Sequence, residues 1–243
     1  MEFTFLGTSA GVPTLKRNVS GLVIKRRNSK HWCLVDCGEG TQHQLLRLPY
    51  SAVKLRAIFI THVHGDHCFG LPGIIASAAM AGRTDPLIIV GPADIEAFVR
   101  TTMRLTDMHM SYPLVFVDVA TLNEQPVAND FKVVAIPLSH RVPSYAYHFT
   151  AVATVPKLNA ERLARDGVPP GPAWGKLVAG QNVQLDDGRE LMAEDYLLAP
   201  ECPRRIVVGG DNDTPQCLHP VADGADVLIH EATYTQAISD KVG

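Results

Sequence analysis

Several apolar runs in this chain stop on a histidine or an aspartate. Ala57–Ile60 runs into "THVHGDH", "VVAIPLSH" ends at His140, "IVVGGD" ends at Asp211, and "VLIH" ends at His230, followed by Glu231. β-branched runs of this length read as buried strands. In layered α/β folds, ligand-binding groups gather where strands end. The chain must therefore fold so that several strand ends meet at one edge.

The loop after Ile60 is the densest case. Three of the ten histidines and one aspartate, His62, His64, Asp66 and His67, fall within six positions. Desolvating so many polar groups side by side without a partner would be costly. Imidazole nitrogen and carboxylate oxygen suit Zn²⁺, with Mn²⁺ or Fe²⁺ as substitutes. Four potential ligands exceed what one catalytic zinc takes from a single loop, which points to two ions sharing it. His140 and Asp211 are the further candidates, with Asp211 as the carboxylate that bridges the pair. His31, His43, His109, His148 and His219 each read better as hydrogen-bonded structural histidines.

The remaining segments fit sheets covered by helices in an α/β layered domain. Strands are expected at "EFTFLGT", which alternates as a half-buried strand does, and at "SGLVIKR", "HWCLVDCG", "LRAIFIT", "PLIIVGP", "YPLVFVDV", "FKVVAIPLSH", "SYAYHFT", "RRIVVGGD" and "ADVLIHEAT". Helices are expected at "LPGIIASAAMAG", stopped by Gly82, at "ADIEAFVRTTMRL" and at "NAERLARDG". Residues 154–189 change character. Prolines and glycines in "GVPPGPAWGKLVAG" leave no room for a long helix or strand, so the segment reads as a protruding arm on one domain spanning 1–243.

Composition excludes little. No run approaches the roughly 18 apolar residues of a membrane span, and the N-terminus lacks a signal pattern, so the expected setting is the cytoplasm. The five cysteines, Cys33, Cys37, Cys68, Cys202 and Cys217, form no paired motif and are expected as reduced thiols. Net charge is −3, but residues 1–60 hold nine Lys/Arg against three acids, leaving the remainder at −9. A basic first quarter could meet phosphates; a solvated strand edge with "KRRNSK" as its turn would explain it equally. Cys68 and Trp174 have no reading from sequence.

The chain resembles the tRNase Z (ribonuclease Z) family of the metallo-β-lactamase superfamily. "THVHGDH" matches the superfamily's HxHxDH signature. "FLGTSAGVPTLKRN", "LVDCGEGTQHQL", "HGDHCFGLPG", "GVPPGPAWGKLVAG", "GGDNDTP" and "HEATY" are similar to the family's own motifs. The resemblance implies a four-layer αββα fold and a zinc endoribonuclease that removes the 3′ trailer of precursor tRNA, leaving a 3′-hydroxyl. It implies one zinc on His62, His64 and His140, another on Asp66 and His67, and Asp211 between them. Asp66 would orient or deprotonate the attacking water, and Asp36 would orient ligands through hydrogen bonds. Glu231 would pair with a proton-donating histidine further along. His230 would then not be a ligand, contrary to the strand-end pattern. Lys16, Arg17 and Arg26 would touch phosphate, and the arm, with Gly171, Pro172 and Lys176, would grip tRNA in a homodimer.

The chain stops at "ISDKVG", before the family's closing segment, so a tail carrying the second zinc's last ligand is expected beyond it. Two alternatives remain: a hydrolase of a small phosphodiester or thioester, and a tRNA-binding protein with an incomplete metal site.

Overall fold

The computed structural model describes residues 1–122, 126–127, 130–152, 156–199 and 202–234. The first residues of the expected arm, 154–155, and the closing stretch 235–243 lie outside them. Two compact units are present, Met1–Ala151 with Arg204–Gly243, and Val152–Pro203.

The larger unit opens with a six-stranded sheet in the order β1 (Glu2–Gly7), β2 (Gly21–Lys25), β3 (Trp32–Cys37), β4 (Leu55–Phe59), β5 (Leu87–Gly91) and β6 (Leu114–Asp118). β1 to β3 pair antiparallel and β3 to β6 parallel. The parallel strands need cover on both faces, which explains their nearly unbroken apolar sequences. β3 shows the division residue by residue. Trp32, Leu34 and Cys37 enter the core on one face, and Cys33 and Val35 enter the core on the other.

The first of those cores lies under helices. Between the strands come α1 (Thr41–Leu45), α2 (Gly65–Cys68), α3 (Leu71–Met80) and α4 (Asp94–Leu105). α3 buries Leu71, Ile74, Ile75 and Ala78, one helical stripe. α4 buries Ile95 and Val99, with Phe98 and Met103 packed beside them, as its spacing predicts.

The second core separates the first sheet from a second one. Its members begin with β7 (Pro126–Val127), β8 (Phe131–Leu138) and β9 (Ser144–Ala151). Phe59 packs edge-on against Tyr147 at 5.2 Å and Phe149 at 5.0 Å across this core.

The smaller unit follows with α5 (Ala160–Arg165), α6 (Pro172–Val178), β10 (Val183–Gln184), β11 (Glu190–Leu191) and α7 (Ala193–Tyr196). It has its own core of Leu163, Val168, Leu177, Val183, Leu191, Ala193 and Tyr196. The compact region is wider than the 154–189 read from composition. α6 was not expected; its Pro172 occupies the first turn, where a missing N–H costs nothing. Trp174 now has a reason: it packs on this core, and its indole N–H donates to the Val168 carbonyl at 3.3 Å.

The chain then returns to the second sheet with β12 (Arg205–Val208), α8 (His219–Ala222) and β13 (Val227–Ile229), giving the order β13-β12-β9-β8-β7. Leu218, Cys217 and Val221 cover its outer face, on Ala146 and Val207. The larger unit is thus helix, sheet, sheet and a thin helical layer, the αββα arrangement that the resemblance implied.

One expectation needs refining. β1 alternates, but it buries Leu6 and leaves Phe3 and Phe5 39% and 50% exposed. β1 is an edge strand with β2 as its single neighbour, so its second face has little to pack on.

Arg83 ties the helical layer to the strand that carries the metal loop. It is fully buried, and its guanidinium donates to the carbonyls of Leu55 (2.6 Å), Asp85 (2.7 Å), Pro86 (2.7 Å), Ala52 (3.1 Å) and Val53 (3.3 Å). It also lies 5.1 Å from the Tyr112 ring centroid. Leaving buried carbonyls without donors costs about 1–3 kcal/mol for each group. We expect Arg83→Met to lower the unfolding free energy by about 3 kcal/mol. A urea midpoint equal to that of the parent chain would refute this.

Candidate metal centre

The centre forms where the strand ends of both sheets are stitched together. After β4, the Thr61 carbonyl accepts the Tyr145 N–H at 3.1 Å, and the Tyr145 carbonyl accepts the Gly210 N–H at 3.2 Å. The Tyr147 hydroxyl donates to the Ile60 carbonyl at 2.7 Å, and the Ser144 hydroxyl to the Asp211 carbonyl at 2.9 Å. A Cβ at position 210 would come within 2.6 Å of the Thr61 Cβ, so glycine is required for Asp211 to approach the metal loop. The loop after β8 is tied in as well, since Asp213 N–H donates to the Ser139 carbonyl at 2.7 Å.

His62, His64, His140 and Asp211 each bring one ligand atom to within 4.8 Å of the others. The Nε2 atoms of His62 and His140 are buried and make no hydrogen bond. Buried nitrogens of this kind fit a bound cation. Asp211 faces two ways: its Oδ2 lies 3.7 Å from His62 Nε2 and 3.9 Å from His140 Nε2, and its Oδ1 lies 3.4 Å from His67 Nε2. Asp66 Oδ2 lies 3.5 Å from that same His67 nitrogen and accepts the Gly11 N–H at 2.8 Å. All six residues expected as ligands are brought together, and their donors suit a divalent cation.

Asp36 organises the histidines. It sits at the end of β3 in the left-handed region, φ 57°, which aspartate tolerates better than most residues. Its carboxylate accepts the Thr61 N–H (2.8 Å) and hydroxyl (3.0 Å), the Ser20 hydroxyl (3.2 Å) and His67 Nδ1–H (2.6 Å). Because the Thr61 hydroxyl donates to Asp36, it can accept from His62 Nδ1, 3.0 Å away. Both histidines are therefore protonated on Nδ1, and their Nε2 atoms turn to the centre.

Electrostatics agree with a cation site. Burial pushes His62 down to about 4, helped by charge on His67, so its Nε2 lone pair is open at neutral pH. Burial, with Arg141 and His140, also lowers His64. Burial opposes charge on His67, yet Asp36, Asp211 and Asp66 outweigh it and raise the group to about 12. The hydrogen bond from His67 holds Asp66 well below the usual carboxylate range. Asp211 is also lowered: burial resists its ionisation, and His67 overcomes it. Three carboxylates, Asp36, Asp66 and Asp211, face the His67 ring, so the site calls for positive charge.

His230 and Glu231 stand beside this cluster. His230 Nδ1 faces the Glu231 carbonyl at 2.7 Å, and its Nε2 faces the Asn212 amide at 3.1 Å. Glu231 accepts the Asn212 N–H at 2.7 Å and the Thr233 hydroxyl. The strand-end pattern thus overreached at His230. Arg17 borders the cleft over the centre, and exposed Lys16 is its neighbour in the same loop. Gly171, Pro172 and Lys176 belong to the smaller unit and are exposed there. Cys33 and Cys37 are buried free thiols in the two cores, and Cys68 donates to the Val63 carbonyl at 3.5 Å, so none faces the centre.

Sequence reasoning missed Thr61, Asn212, Asp213 and Arg141. Asp213 lies 3.4 Å from His140 Nδ1, and Arg141 donates to His64 Nε2 at 3.2 Å. "GGDND" could have flagged the first acid after Asp211; Thr61 carries no signal beyond preceding the loop. We expect Asp36→Asn to weaken divalent-metal binding about 10–100-fold, measured by chelator competition. Unchanged affinity would mean that Asp36 does not set the ring tautomers.

Comparison with known proteins now adds to this geometry. Residues 1–149 match a family model described as Anti-Pycsar protein Apyc1. Ribonuclease Z of Marinobacter nauticus is 52% identical over 243 residues, all of this chain and 75% of that protein. Ribonuclease BN of Escherichia coli O6:K15:H31 is 43% identical, over 99% of this chain and 79% of its own. The crystal structure of human tRNase Z, short form, superposes with a TM-score of 0.67 at 27% identity, covering 99% of this chain and 82% of that one. The metallo-β-lactamase fold protein YhfI of Bacillus subtilis matches with a TM-score of 0.59 at 20% identity, over 95% and 74% of the two chains, and supports the fold. The model match ends before Asp211 and Glu231, whereas the relatives align across them and across the smaller unit. On that whole-length identity, and with its metallo-β-lactamase fold, the chain belongs to the ribonuclease Z family.

Proposed function

We propose that this chain is a metal-dependent endoribonuclease that hydrolyses the phosphodiester joining tRNA to its 3′ trailer, leaving a 3′-hydroxyl. The observation that carries the reading is Asp211, whose two oxygens face two separate sets of ligand atoms. The cleft over it, about 1370 Å³, exceeds the roughly 300–1,000 Å³ of small-molecule sites and suits a polymer.

In this reading the chain would take two zinc ions, with Mn²⁺ as a substitute. His62, His64 and His140 would hold one and Asp66 and His67 the other, with Asp211 within reach of both sets. Bound there, the cations supply Lewis acidity towards the phosphoryl oxygens and make water a stronger acid. The protein's own groups do the positioning. Asp66, held ionised, accepts hydrogen bonds and orients the attacking water instead of taking up its proton. Asp36 and Thr61 hold the imidazoles in the tautomer that leaves Nε2 open. Glu231 would work with the proton-donating histidine that the resemblance implies for the leaving oxygen. Lys16 and Arg17 meet backbone phosphate, and Gly171, Pro172 and Lys176 grip tRNA. The reading includes a homodimer and a cytoplasmic setting, which suits five free thiols. Among the described residues no helix is long and apolar enough to cross a membrane.

Incubation with precursor tRNA tests this directly. Chelation should abolish trailer removal and added zinc should restore it, while His140→Ala should slow cleavage by about a hundredfold or more. Cleavage indifferent to chelator would end the proposal. The rival reading, a small-phosphodiester hydrolase, rests on the centre lying wholly within the larger unit. The smaller unit begins and ends where Ala151 N–H donates to the Arg204 carbonyl at 2.9 Å, so a short linker can replace it. Excision should raise KM for precursor tRNA at least tenfold and spare a small chromogenic phosphodiester. Equal loss on both substrates would make the unit structural only.

A further inference from the structure

Phe69, next to Cys68 at the end of α2, is the one large apolar side chain on the metal loop that faces solvent; its neighbour Val63 packs against the core. It is 63% exposed and borders the same cleft as His64, Asp66 and Arg141. A single exposed phenylalanine is ordinary. This one is held in place. Its ring lies against the backbone of Gly65, where a Cβ would stand 2.2 Å from Cε2 and 2.5 Å from Cζ. Phe98 supports it from α4, ring centroids 6.2 Å apart at an interplanar angle of 38°. Any side chain at 65 would displace the ring from its place in the cleft wall. Contact with Gly65 and Phe98 narrows the ring's freedom, so less entropy is lost when a flat group covers it.

The surroundings say which flat group fits. The cleft that Phe69 borders is also lined by His64 and by Arg141, whose Nε is 3.2 Å from His64 Nε2. A cation, a metal centre and an apolar ring around one cleft match a nucleotide: phosphate for the first two, base for the third. Base–aromatic stacking is indifferent to base identity, because every base has a π-face. We propose that Phe69 stacks on the nucleobase next to the scissile phosphate and thereby sets which phosphodiester enters the centre. It is a specificity-determining residue that touches substrate, and the inference rests on the RNA-cleaving reading above.

The test is a double-mutant cycle between protein and substrate. Precursor tRNA is prepared intact and with an abasic site at the nucleotide on either side of the cut. For the parent chain, one of the two abasic substrates should lose about tenfold in kcat/KM. Phe69→Leu should lose about tenfold on intact precursor and nothing further on that abasic substrate. Phe69→Tyr should restore the sensitivity to the missing base. Metal content and melting temperature measured on each variant report folding. If the Phe69→Leu and abasic losses multiply, or if Phe69→Leu cuts intact precursor at the parent rate, the stacking role is overturned while the nuclease reading stands. If the parent chain itself leaves precursor tRNA uncut, both fall.

Discussion

A carboxylate buried between the end of β3 and the start of the metal loop governs this structure. Asp36 is 3% exposed, and an ionised group there would be costly without donors. It receives four: the Thr61 amide and hydroxyl, the Ser20 hydroxyl and the His67 imidazole. The same bonds decide which nitrogens of His62 and His67 carry protons. One side chain therefore links the packing of the first sheet to the chemical state of the centre. The left-handed backbone at Asp36 is the local strain that this network offsets.

The second requirement is that two sheets end at the same place. His62 to His67 follow the first sheet, whereas His140 and Asp211 leave the second. Backbone bonds through Tyr145, from Thr61 on one side to Gly210 on the other, hold those ends in register. Asn212 extends the brace, as its amide oxygen accepts from the Ser139 and Thr214 N–H groups at 3.3 Å each. Backbone bonds at the strand ends fix where these side chains stand, which is what a preorganised site needs. The smaller unit contributes no ligand among the described residues, and its short helices close on a core of their own.

Much of this was legible in the chain. Apolar runs that stop at His or Asp located the side chains that cluster as a candidate metal site, and β-branched stretches located the buried strands. The parallel strands were easiest, because burial on both faces leaves a continuous apolar signature. What escaped notice has physical reasons too. Single-turn helices such as α2 and α8 are too short to show a period. β1 leaves Phe3 and Phe5 part-exposed at the sheet edge, where among the described residues they join neither core. Thr61 and Asn212 work through backbone and tautomer, and a polar residue beside a strand end looks alike whether it supports a site or only a turn. His230 follows the ligand pattern yet faces Asn212, since the end of β13 lies beside the cluster and not over it.

The sequence by itself determined the donor set: which imidazoles and carboxylates exist, in a loop and at strand ends, and hence that cations were the chemistry to expect. The tertiary structure decided how those donors divide. Distances among His62, His140, His67 and the two oxygens of Asp211 arise from residues far apart in the chain. The proton positions on the rings arise from Asp36, a strand away. Spacing along a chain specifies residue types and neighbours, but a coordination geometry is a set of long-range distances, and only the packed sheets could set those.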